Sequence, residues 1–63
     1  MSTKETKLKI KRRQEGLTQR EIAKTAKVSE RRYQDYEAGK SMPKADTAKL
    51  IALALNSTVE ELF

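Results

Sequence analysis

Between Glu30 and Ala38 the chain sets Arg31, Gln34 and Asp35 on one side of a helical wheel, with Glu30 and Arg32 on its flanks. These are hydrogen-bonding side chains with no nucleophile among them. Arginine can fork onto a guanine edge, glutamine can reach an adenine or a phosphate, and a carboxylate can accept from the amino group of a cytosine. The chemistry on offer is recognition. Bond-making chemistry has little to build on, because the 63 residues include no His, no Cys and no glycine-rich phosphate loop. An enzyme is the least expected class, and no metal, cofactor or small-molecule ligand is expected.

Such side chains need a rigid support, and the sequence marks its ends within Leu17 to Lys40, LTQREIAKTAKVSERRYQDYEAGK. Thr18 and Ser29 each begin a helix, and Thr18 with Glu21 has the spacing of a capping box. Gly39 ends the second helix. Only Lys27 and Val28 separate Ala26 from Ser29, which predicts helices over 19–26 and 30–38 joined by a tight turn, a helix-turn-helix. Tyr33 and Tyr36 share the face that turns inward toward Ile22, Ala23, Ala26 and Val28.

The flanking segments read as further helices. Ser2 or Thr3 can cap a helix from Lys4 to about Glu15 that Gly16 closes. Pro43 forces a loop over 40–44. A helix follows from Ala45 to Leu55, Asn56 suits a helix stop, and Thr58 with Glu61 opens a last turn ending at Phe63. The expectation is an all-α, five-helix single domain over 1–63, with the helix-turn-helix at 18–38.

Charge narrows the partner. The chain carries +5 with a sequence pI near 9.8. Residues 1–44 hold 13 Lys or Arg against 6 Asp or Glu, whereas residues 45–63 hold 1 against 3. The basic part contains the helix-turn-helix, so a polyanion is the natural partner. The Lys-rich first helix reads as a solvated face that attracts DNA diffusely. No apolar run reaches membrane-spanning or signal-peptide length, so a cytoplasmic protein without membrane contact is expected.

Over roughly residues 8–63 the chain resembles the Cro and phage-repressor type of helix-turn-helix. The resemblance rests on Leu17-Thr18-Gln19, Glu21-Ile22-Ala23, the capped third helix, the Glu37-x-Gly39-Lys40 ending, and Pro43, Ile51-Ala52, Ala54-Leu55 and Glu61-Leu62. It implies a compact lambda-repressor-like domain, bacterial or phage-encoded and nucleoid-associated, that binds operator DNA as a homodimer. It also implies base-facing positions at Ser29, Glu30, Arg31, Arg32 and Asp35, a phosphate clamp at Gln19, a second phosphate site at Lys40, and an Arg12–Glu37 pair joining the first and third helices. With the wheel included, Ser29, Glu30, Arg31, Gln34 and Asp35 are assigned to bases, and Gln19, Lys27, Arg32, Lys40 and Lys44 to phosphates. Asp35, four residues after Arg31, is expected to orient its guanidinium.

The chain departs from the family pattern in places. Lys27 stands where the turn usually has Gly, Ser57 where an aliphatic is favoured, and Ala45 and Ala48 where larger core residues are usual. Ile10, Leu50 and Leu53 are apolar at largely polar positions, which makes them a candidate partner surface. Two functions follow as alternatives. The first is a sequence-specific double-stranded DNA-binding regulator, a small repressor. The second is a protein-interaction module, antitoxin-like or coactivator-like, with weak and unselective DNA binding.

Overall fold

The computed structural model describes residues 6–63, and these form five helices: α1 (Lys7–Glu15), α2 (Gln19–Ala26), α3 (Glu30–Ala38), α4 (Ala45–Ala54) and α5 (Val59–Leu62). Four boundaries carry a hydroxyl cap, from Thr6, Thr18, Ser29 and Thr58, each accepting from the backbone N–H three residues on. Thr18 and Glu21 complete the reciprocal capping box. At α5 the Glu61 N–H reaches Thr58 Oγ1 at 3.2 Å, and the Glu61 carboxylate accepts from the Ser57 hydroxyl at 2.8 Å.

α1 starts later than the expected Lys4, because Thr6 is extended (ψ 156°) and spends its hydroxyl on the Lys9 N–H at 3.2 Å. The expected caps Ser2 and Thr3 lie outside the described residues. α4 ends at Ala54, one residue short of the expected Leu55.

The first four helices end in the same way. Gly16, Lys27, Gly39 and Asn56 all have positive φ, from 54° to 76°. Around each, paired backbone bonds run back to the last turn, as in Lys40 N–H to Asp35 C=O at 2.9 Å and Val28 N–H to Ala23 C=O at 3.0 Å. Lys27 takes this conformation with a Cβ, at a cost of about 1–2 kcal/mol relative to glycine. The turn therefore keeps the shape that the pattern requires while presenting a cation.

α2 lies at the centre, packed on α3 and α4, with α1 and α5 closing the bundle's other side. Its Ile22, Ala23 and Ala26 meet Leu8, Tyr33, Tyr36, Ile51, Ala52, Leu55 and Leu62 in one core. The two tyrosine rings meet edge to face at 6.5 Å, an arrangement favoured by the ring quadrupoles. Ala48 is buried as a small core residue, but Ala45 is exposed and leaves the core unchanged. Leu50 and Leu53 part company: Leu50 packs against the core, whereas Leu53 is 74% exposed.

Candidate nucleic-acid interface

Packing decides which part of α3 remains free. Tyr33, Tyr36 and Glu37 are buried, so Glu30, Arg31, Gln34 and Ala38 form the outward arc. Ser29 and Arg32 are exposed at the helix start, and the Ser29 hydroxyl accepts from the Arg32 N–H at 3.1 Å while keeping its own proton to donate. Asp35 is half-buried at the edge of the arc and forms no ion pair with exposed Arg31. The expected orienting contact between them is absent, and Arg31 has no acidic partner among the described residues. Glu30 is paired instead across the turn, its carboxylate 3.6 Å from Arg20 of α2. Both ends of that pair are well exposed, so it contributes little stability.

Behind the arc lies a network that fixes α3 to the rest of the domain. Arg12 Nε contacts Glu37 Oε2 at 2.5 Å and its Nη1 donates to the Leu17 carbonyl at 2.8 Å, while Gln19 Nε2 donates to Glu37 Oε1 at 3.0 Å. The Glu37 side chain is only 3% exposed. Burial alone would raise its pKa, but the guanidinium and then the Gln19 amide, both hydrogen-bonded to it, hold it below the usual carboxylate range. Arg12 is raised in turn by its hydrogen bond to Glu37. The Tyr33 hydroxyl is buried beside the pair with no hydrogen bond among the described residues, and burial followed by the neighbouring carboxylate raises its pKa. Thr6 adds a tie from the start of α1, its hydroxyl donating to the Glu37 carbonyl at 2.8 Å.

Gln19, expected as a phosphate clamp, is tied into this network. One amide N–H belongs to Glu37, which holds the side chain in place, and the second has no partner among the described residues. Lys27 sits in the turn, Lys40 just past the left-handed Gly39, and Lys44 at the start of α4, all exposed. Arg20, next to Gln19 in the chain, is also 84% exposed, although its sequence position gave no reason to separate it from other surface charges. Ile10 is 42% exposed and borders a groove with Lys7, Lys11 and Ser57, while Leu53 borders a second groove with Lys49, Val59 and the same Ser57. Among the described residues no cluster of His, Cys, Asp or Glu could hold a metal, and no helix is long and apolar enough to cross a membrane.

A capped helix with a polar outward arc, supported by a second helix across a tight turn and rimmed by cations, defines a helix-turn-helix DNA-binding domain. The Cro/C1-type helix-turn-helix family model matches residues 8–62, and the chain belongs to that family. Comparison with curated proteins and with solved structures returned no match.

Proposed function

We propose that this domain is a sequence-specific double-stranded DNA-binding transcriptional regulator, a small repressor that acts in the cytoplasm by occupying promoter DNA. The observation that carries the reading is the outward arc of α3, where Arg31 and Gln34 stand exposed, together with a pre-oriented Gln19 and the exposed cations Lys27, Arg32, Lys40 and Lys44. The cations fix the helix over the major groove through phosphates, and the arc, with Ser29, Glu30 and the edge residue Asp35, reads base edges. The domain binds as a homodimer on a near-palindrome, with half-sites about 10 base pairs apart centre to centre.

The test is a titration of labelled protein with duplex DNA followed by amide chemical shifts. Shifts concentrated at the start of α2, the turn and α3 support the reading. Shifts confined to α4 and α5, or none, contradict it. A second reading, the protein-interaction module, draws on Leu53, whose exposure among Lys49, Ala52 and Val59 suits a partner surface. It predicts a tight protein complex through that surface and weak DNA binding that does not discriminate among sequences.

A further inference from the structure

Helix α1 distributes its lysines to different sides of the molecule. Lys7 and Lys11 border the groove against α5, and Lys11 is spent on Glu15 at 3.4 Å. Lys9 is placed otherwise, because Thr6 accepts the Lys9 N–H at 3.2 Å and donates to the Glu37 carbonyl at 2.8 Å, which docks the first turn of α1 against the end of α3. There Lys9, Gln19, Gln34, Glu37 and Ala38 line an open cleft of about 310 Å³ at the junction of α1, α2 and α3. The carboxylate at its base is no obstacle to an anion, since Arg12 and Gln19 engage both its oxygens. Lys9 itself has no ion-pair partner among the described residues.

We infer that this cleft seats one DNA backbone phosphate, held by the Lys9 ammonium and the second N–H of Gln19, so that the protein's footprint extends onto α1. The inference rests on the DNA-binding reading above and adds a contact to it. Lys9 acts as a point charge on the phosphodiester while Gln19, oriented by Glu37, sets the phosphate's position. The phosphate would lie beside Gln34, so the same contact fixes how far α3 enters the groove.

The test measures affinity for a duplex recovered from a randomised pool as salt is raised, for the parent, Lys9→Gln and Lys11→Gln, with helicity and thermal melting checked for each. Both substitutions remove one positive charge from the same helix. Loss of a phosphate contact should reduce the slope of log affinity against log salt by about 0.9 per bound chain in Lys9→Gln. Lys11→Gln should keep the parent slope. Equal slopes for Lys9→Gln and the parent, or equal losses in the two variants, would overturn the phosphate seat and leave the DNA-binding reading standing. Failure of the parent to recover or bind any duplex would overturn both.

Discussion

The Gln19 amide donates to Glu37 Oε1 at 3.0 Å, so the residue that opens α2 at the interface is oriented by the same carboxylate that Arg12 holds in the core. Gln19→Ala should weaken DNA binding by about 1 kcal/mol, roughly five-fold, and by the same factor on target and mismatched duplexes, since a phosphate contact carries no base information. Anisotropy titrations on the two duplexes check it, and a loss confined to the target would instead make Gln19 a base reader.

Arg12 answers for a buried charge. Arg12→Ala leaves the Glu37 carboxylate, 3% exposed, without its cation and also frees the Leu17 carbonyl, so stability should fall by about 3–5 kcal/mol. Replacing both partners, Arg12→Met with Glu37→Leu, should recover most of that loss. Urea unfolding of the parent, the single variant and the double variant measures it. A double variant as unstable as the single one would show that the pair contributes more than mutual neutralisation.

The same pair sets an acid limit. Because Glu37 titrates below its ordinary value of 4.5 in the folded protein, its contribution is fully present above that pH and is lost as pH falls through the lowered folded value. Glu61 is shifted in the same direction, first by its bond to Ser57, but it is fully exposed. The difference in unfolding free energy between the parent and Glu37→Gln should therefore be constant above pH 4.5 and shrink below it. A difference independent of pH down to acid unfolding would contradict the assignment.

Lys27 separates fold from function within one residue. Its left-handed backbone (φ 62°) is strained for a side chain, so Lys27→Gly should raise stability by up to about 1 kcal/mol. Loss of the cation should at the same time lower DNA affinity and its salt slope. Thermal melting and salt-dependent titration of this variant should move in opposite directions. A gain or no change in affinity would remove Lys27 from the phosphate rim.

Tyr33 carries a buried hydroxyl without a hydrogen bond. Tyr33→Phe keeps the ring packed against Tyr36 and removes a polar atom that folding strips of water, so stability should be unchanged or rise by about 1 kcal/mol. Urea unfolding decides it, and a clear loss would mean that the hydroxyl supports Glu37.

The sequence made the helix-turn-helix legible because its signals are local. Thr18, Glu21, Ser29 and Gly39 each act within four residues, and the structure puts α2 and α3 at the expected bounds. Helix α1 starts at Lys7 and not at the expected Lys4, because Thr6 caps it, and Thr6 is held there by its bond to Glu37, 31 residues away, which no local signal reveals. The same long-range packing decides the surface. Helical spacing groups Leu50 with Leu53, but only the packed bundle shows that one touches the core and the other does not. Periodicity likewise places Asp35 beside Arg31 without revealing that Asp35 is half-buried and that no pair forms.

The most direct test of the central claim is selection of bound duplexes from a randomised DNA pool at near-physiological salt, repeated with Arg31→Ala. The parent should recover a near-palindrome with half-sites about one helical turn apart, and the variant should lose preference at one position in each half-site. Recovery of no motif by the parent, with binding that disappears as salt rises, would contradict it and leave only non-specific attraction to the basic face.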